Sequence, residues 1–250
     1  MGFLSIIYTE VLWRPLFNGL IWLYISLPVR DLGLAIIMLT AVTRIVLAPF
    51  LWKAQKAQKA MGRIQPEIRK LQEKFKNDRE GQGKALMGLY AQHRVNPFSG
   101  CLVLLVQFPV LIALFQVFQS GFDTAQFSYL YSFVSRPEGI NPISFGIFDL
   151  SLGDWRLGIA AGLTQYVQAY LSMSTKPSET PAGFAKMLQT QSLYVFPVLV
   201  FAWSFIFPSA LTLYWTAMNV FGIVQELVAA RLRRREDIRS VAPERSAQAM

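Results

Sequence analysis

One arginine interrupts a long apolar run. Arg44 follows Leu34 to Thr43 and precedes Ile45 to Trp52, and no Asp or Glu stands within a helical turn or two of it. A guanidinium keeps its charge at any ordinary pH and carries only donors. At the centre of a bilayer it costs about 2.5–3.5 kcal/mol on insertion scales. Its chemistry there is attraction of an acidic or polar group, with hydrogen bonds donated to it. Snorkelling to the head groups is the plainer reading at that depth.

Two features favour the first reading. Arg44 has polar company: Thr40, four residues back, shares its helical face, and Thr43 adjoins it. Gln107 and Gln116 lie in a second apolar run, and Gln165 and Gln168 in a third. Thr212, Thr216 and Asn219 form one polar stripe at i, i+4, i+7 in the last run. Such groups usually face the bundle or a wet cavity, because an unpaired amide in hydrocarbon is costly. A plain interhelical hydrogen bond accounts for any one of them, Gln116 and Asn219 in particular. The second feature is the shortage of acids: Glu226 is the only carboxylate inside an apolar run, near its end. A proton or ion transporter would show an acid relay or a broken midplane helix. Arg44 therefore reads as a receptor for a transient acidic or polar visitor.

Other chemistries find little to work with. One cysteine, Cys101, and one histidine, His93, argue against an internal disulfide, a metal site or a Ser-His-Asp triad. No Gly-rich loop followed by Lys cradles a phosphate. No catalytic residue, cofactor or metal is expected. No cleavable signal peptide is expected at the start either.

The elements that must position these residues are helices in a membrane. The 250 residues are 53% hydrophobic and 16% charged, too apolar for a soluble domain of this size. Five runs are long enough to span about 30 Å of hydrocarbon: about 32–52, 100–119, 155–173, 192–208 and 209–230. The last two meet at a tight turn at Pro208 and Ser209. Phe3 to Leu27 is also apolar but is broken by Thr9, Glu10, Arg14 and Pro15, which suits a helix lying in the interface plane. A sixth span is the competing reading there.

Charge sets the orientation. Residues 53–99 carry eleven Lys and Arg against four acids, whereas residues 120–154 carry only Arg136 against Asp123, Glu138, Asp149 and Asp154. The 174–191 loop holds Lys176 and Lys186, and the tail holds Arg231, Arg233, Arg234, Arg235, Arg239 and Arg245. Every basic loop falls on one side when the N-terminus is outside and the C-terminus cytosolic. Within 53–94, Ile64, Ile68, Leu71 and Phe75 make one helical stripe, and Leu86, Leu89 and Tyr90 a second. "NDREGQG" between them reads as a flexible turn, giving an antiparallel helical hairpin. Held to anionic lipid or docking a partner, the hairpin has two equal readings.

At this point the residues resemble a known family. "WRPLFNGLIWLY", "TAVTRIVLAPF", "VNPFSGCLVLLVQFPVLIALFQVF", "LTQYVQAYLS" and "FPSALTLYWTAMNVFGIVQE" follow, in this order, the pattern of the YidC-type membrane protein insertases. The similarity runs from about Leu12 to Leu232. The chain looks like the minimal five-span form of that family.

The resemblance implies an all-α integral membrane protein. Five transmembrane helices would surround a cytosol-open hydrophilic groove, with an N-terminal interfacial amphipathic helix (1–30), an insertase core (31–232) including the cytosolic helical hairpin 53–94, and a basic tail (233–250). It implies a substrate groove of Arg44, Thr40, Gln107, Gln168 and Trp215, with Thr43, Gln165, Thr212, Thr216 and Asn219 as supporting polar groups. The implied function is to receive nascent hydrophobic segments and release them sideways into lipid. Nascent membrane proteins and the lipid bilayer are then the partners. The ribosome, through the tail, and the Sec translocon are further candidates. No small-molecule substrate is expected, and the chain is read as a monomer in the bacterial plasma membrane. A small-molecule or ion transporter using the same polar cavity is the alternative, and a lipid- or RNA-binding scaffold a third reading.

Overall fold

A computed structural model describes residues 2–96, 99–119, 124–174, 187 and 189–247. The Lys176–Lys186 loop, Asp123 and the Pro97–Phe98 approach to the second apolar run lie outside the described residues.

The chain begins with α1 (Phe3–Tyr8), a π-helical turn (Thr9–Trp13) and α2 (Arg14–Ser26), joined without a break. Pro15 has no N–H to close a helical hydrogen bond, and the wider π turn just before it absorbs the missing bond. The polar residues that suggested an interruption are therefore carried through one helix. Phe17, Leu20 and Ile21 are wholly buried in the protein core, against α3 and α6, while Val11 and Trp22 on the same helix stay exposed.

The next helix, α3 (Leu32–Arg63), starts at Asp31, whose Oδ1 accepts from the Leu34 N–H at 2.9 Å. Among the described residues, its Leu32–Ala54 part is the one helical stretch long and apolar enough to cross a membrane. Shorter apolar stretches are Gln107–Phe118 and Gln191–Trp203. Beyond Ala54 the same helix continues unbroken through the basic residues to Arg63.

Helices α4 (Gln65–Lys74) and α5 (Arg79–Gln92) then pack on each other, burying Ile64, Ile68 and Leu89, with Leu71, Leu86 and Tyr90 alongside. The flexible turn expected at "NDREGQG" is shorter than that. Asp78 Oδ1 accepts from the Gly81 N–H at 2.9 Å, so α5 begins at Arg79 and Glu80 to Gly83 are already helical. Lys84 pairs with Glu80 one turn back at 2.7 Å. Where the two helices meet α3, His93 Nε2 lies 3.1 Å from Glu67 Oε2.

After α6 (Ser99–Gln119) a long connection runs across one end of the bundle. It contains a 3-10 turn (Thr124–Tyr129) and a ribbon of two short antiparallel strands, β1 (Ile143–Ser144) and β2 (Phe148–Asp149), with Ile143 opposite Asp149. It is fastened at several points. Asn18 Oδ1 accepts from the Tyr131 N–H at 2.6 Å, Tyr24 OH from the Asn141 N–H at 3.0 Å, and Asp31 Oδ2 from the Phe145 N–H at 2.6 Å.

The chain then forms α7 (Trp155–Ser174). A second π turn (Gln191–Val195) leads into α8 (Phe196–Trp203), and α9 (Ser209–Ala247) ends the fold. Small residues let α7 and α8 approach closely: a Cβ added to Gly162 would come within 3.1 Å of the Pro197 carbonyl oxygen. The stretch set apart as a tail from 233 is a continuation of α9. It is rich in Arg, which favours helix, and the helix runs on past Pro243 to Ala247.

Candidate functional site

The polar residues expected to act together lie on α3, α6, α7 and α9, and α9 is their hub. Within little more than one turn it reaches three other helices. The Tyr214 hydroxyl accepts from Gln107 Nε2 of α6 at 2.8 Å. Trp215 Nε1 donates to Gln165 Oε1 of α7 at 2.9 Å. The Met218 carbonyl accepts from Arg44 Nη2 of α3 at 3.1 Å. Asn219 Nδ2 lies 3.4 Å from Thr164 Oγ1 and 3.5 Å from the Ala161 carbonyl oxygen, both on α7.

The sequence brings these together at one level. The starts of α3, α7 and α9 are tied by the same connection, through Asp31, Asp154 and the Ala210 N–H bonded to the Leu150 carbonyl at 3.0 Å. At a rise of 1.5 Å per residue, Arg44 is about 18 Å along α3 from Leu32, Gln165 about 15 Å along α7 from Trp155, and Met218 about 14 Å along α9 from Ser209. Gln107 is about 18 Å from the Gln119 end of α6.

Exposure divides the set. Arg44, Thr43, Gln107, Gln165, Gln168, Trp215 and Thr216 are half-buried, whereas Thr40, Thr212 and Asn219 are buried, Thr40 at 1% exposure. The threonines bond within their own helices: Thr40 Oγ1 donates to the Ile36 carbonyl at 2.7 Å, Thr43 to Thr40 at 2.9 Å, and Thr216 to Thr212 at 2.9 Å. The hydroxyls of Thr40, Thr43 and Thr216 are satisfied in place. Gln168 packs over Gly222, where an added Cβ would lie 3.2 Å from its Cγ.

Arg44 is different. Of its five N–H donors, one is engaged among the described residues, and the acceptor is a helix carbonyl rather than a carboxylate. Its charge is therefore not neutralised there by a partner of its own fold. Beside this polar level, Trp215 meets Phe196 and Trp203 with ring centroids 6.3 and 5.9 Å apart. Trp215, Trp203, Phe207, Leu211, Thr212 and Val200 line a small, half-open, mostly apolar pocket. Among the described residues no cluster of His, Cys, Asp or Glu offers a metal ligand set.

Tyr214 escaped the sequence reading, as did Thr164. Tyr214 adjoins Trp215 and stands one turn before Met218, the carbonyl that meets Arg44, so helical spacing from the groove residues carried the signal.

The pattern that decides the relationship lies in the chain as a whole. The sequence model of the family described as 60Kd inner membrane protein matches residues 24–236. The chain belongs to this family. Among relatives of the 60Kd inner membrane protein family, a protein of Fusobacterium nucleatum named membrane protein insertase YidC is 32% identical over 198 residues, covering 79% of this chain and 85% of the relative. A protein of the same name from Oceanobacillus iheyensis is 34% identical over 200 residues, covering 78% and 73%. One from Pelobacter propionicus is 33% identical over 225 residues, 89% of this chain but 39% of a much longer relative.

Proposed function

We propose that this chain is a membrane protein insertase, which receives nascent hydrophobic segments at the polar level around Arg44 and releases them sideways into the bilayer. The observation that carries the proposal is the half-buried Arg44, with donors to spare and a carbonyl for its only described partner. A structural cation would be expected to have a carboxylate beside it; one that receives a visitor is left available. The relatives' names support insertion over transport.

In this reading α3, α6, α7, the π turn with α8, and the first part of α9 are five spans. The N-terminus is outside, and the basic extension of α3 with α4 and α5 is in the cytosol. The charge asymmetry between residues 53–99 and 120–154 supports that orientation. A layer about 30 Å thick has its middle about 15 Å from each face, close to the depths of Arg44, Gln107, Gln165 and Met218. A groove open to the cytosol at that level would let water lower the desolvation cost of a short polar segment. Arg44 would attract acidic groups in that segment. The arriving span gains on the order of 25 cal/mol per Å² of apolar area removed from water, so partition alone can drive its release. No bond is made or broken, and the protein itself needs no nucleotide. Nascent chains and lipid are the partners this mechanism requires.

The test is site-specific photocrosslinking from positions 44 and 215 to a ribosome-stalled nascent membrane protein. Adducts from both positions, absent from a lipid-facing control such as position 198, support the proposal. Adducts from neither, while a position on the outer loop crosslinks efficiently, would refute a route through this level.

A further inference from the structure

At the end of the bundle that carries the long connection, large apolar residues are exposed at the ribbon tip, in the loop before α7 and in the α8–α9 turn, among polar ones such as Glu138 and Arg156. The ribbon of β1 and β2 turns at Phe145 and Gly146, both with positive φ, 53° and 72°. Turns of this kind favour Asn, Asp or Gly at both central positions, because a bulky side chain is strained there and the tip meets water. Here a phenylalanine holds the first central position. Its N–H is pinned by Asp31 Oδ2 at 2.6 Å, and Gly33 leaves room for its ring, since a Cβ there would come within 2.6 Å of Phe145 Cε2. Ile147, which follows the two central residues of the turn, is 62% exposed.

The surroundings continue the pattern. Leu152, in the loop before α7, is 64% exposed, and Phe205 and Ile206, in the turn between α8 and α9, are 61% and 74% exposed. These belong to one built surface. The Ser209 N–H bonds the Leu152 carbonyl at 2.8 Å, and a Cβ on Gly153 would come within 2.6 Å of the Ser204 carbonyl oxygen. Trp155, also exposed, opens α7 beside them, as an amphipathic ring placed at a membrane boundary would. Surfaces in water rarely gather such residues unless something covers them.

We infer that this end of the protein is a lipid-binding cap. The tip of the β ribbon, the loop at Leu152 and the α8–α9 turn lie in the head-group and upper acyl region of the leaflet opposite the basic helices. The occupant is lipid because the patch is continuous with helix surfaces that face the membrane: Phe205 and Ile206 follow directly on α8, and Trp155 begins α7. Such a cap floats the polar level around Arg44 at a fixed depth, as interfacial anchors set the position of a span. The inference takes from the proposed function only that the helices cross a bilayer.

The test uses the full chain with Cys101→Ser and one added thiol at a time: Ile147→Cys, Ile206→Cys, or Glu138→Cys as a reference, since Glu138 is exposed on the same connection. A charged, membrane-impermeant maleimide is added to sealed cell membranes, and to pure protein in vesicles of phosphatidylethanolamine and phosphatidylglycerol. Thiols ionise poorly in apolar surroundings, so positions 147 and 206 should react roughly tenfold or more slowly than 138 in both preparations. Equal rates at all three positions would overturn the cap. Protection in cell membranes that is lost in pure vesicles would overturn it too, by assigning the cover to a partner protein. Reaction at 138 only from the cytosolic side would instead refute the proposed orientation, while the ratio of rates still decides the cap.

Discussion

Arg44 Nη2 donates to the main-chain carbonyl of Met218, 3.1 Å away and on another helix. A carbonyl within α9 already serves its own helix, so the contact steers the guanidinium without neutralising it. The arginine is thereby oriented toward the α3–α9 junction, and among the described residues its other donors meet no further partner.

From this follows a split between charge and shape. Arg44→Ala should impair insertion of substrates whose translocated segment is acidic, and Arg44→Lys should largely retain it, because an ammonium supplies the same attraction. Both are read in a membrane-insertion assay with matched acidic and neutral substrates. Equal loss in the two variants, or none in either, would show that attraction by charge is not what Arg44 provides.

The Trp215–Gln165 contact supports a different test, of stability. Trp215→Phe keeps a ring against Phe196 and Trp203 but removes the donor to Gln165 Oε1. Hydrogen bonds between membrane helices are worth about 0.6 kcal/mol on average, and up to about 1.7. A double-mutant cycle with Gln165→Leu, measured by unfolding in SDS, should return a coupling of about that size. A coupling of zero would mean that the two side chains pack without a productive bond.

How much of this was legible beforehand depended on whether the signal was local. The apolar run of α3 and the paired stripes Ile64–Ile68–Leu71 and Leu86–Leu89–Tyr90 are written in periodicity, and helices occur there, whereas the turn expected at Pro208–Ser209 comes earlier, over residues 204–207, and Ser209 already opens α9. Three features depended on other parts of the fold or on caps. Pro15 looked like a break because its effect depends on a π turn next to it. Asp78 caps α5 and shortens a turn that composition alone would make longer. At the site, the type and placement of Arg44, Gln107, Gln165 and Trp215 could be read, but their partners could not. Tyr214, the Met218 carbonyl and Thr164 are brought to them by packing between helices distant in sequence. The burial of Thr40 is likewise a property of the assembled core.

The start of α7 should respond to acid. Asp154 accepts from the side chain and the main-chain N–H of Arg156, and the Arg156 side chain in particular holds its carboxyl below the usual carboxylate range. A carboxylate with a lowered folded value contributes stability that is present above the unfolded value, about 3.9, and is lost as pH falls through the folded one. Thermal stability in detergent should therefore drop below about pH 4 in the parent. Asp154→Asn should lower stability at neutral pH and flatten that part of the acid profile. A parent and variant with parallel profiles would mean that Asp154 is not the group responsible.

Two residues, Asn18 and Arg14, hold the same loop by different means. Asn18 Nδ2 donates to the Tyr129 carbonyl at 3.1 Å, and Arg14 Nε donates to the same oxygen at 3.0 Å. Only Asn18 also accepts from the Tyr131 N–H, at 2.6 Å, from a position 3% exposed. Arg14→Leu leaves the carbonyl bonded to Asn18 and loses a half-exposed ion pair with Glu10, so it should cost little, about 1 kcal/mol or less for such a pair. Asn18→Leu leaves the carbonyl bonded to Arg14 but strands the part-buried Tyr131 N–H, and since an unsatisfied donor costs about 1–3 kcal/mol when fully buried, the loss should lie toward the lower end of that range. Unfolding of the two variants in the same detergent should rank Asn18→Leu as the more damaging. If Arg14→Leu proves equal or worse, the loop is held chiefly by the arginine, through its stacking on Tyr131 at 4.9 Å, and the buried amide is secondary.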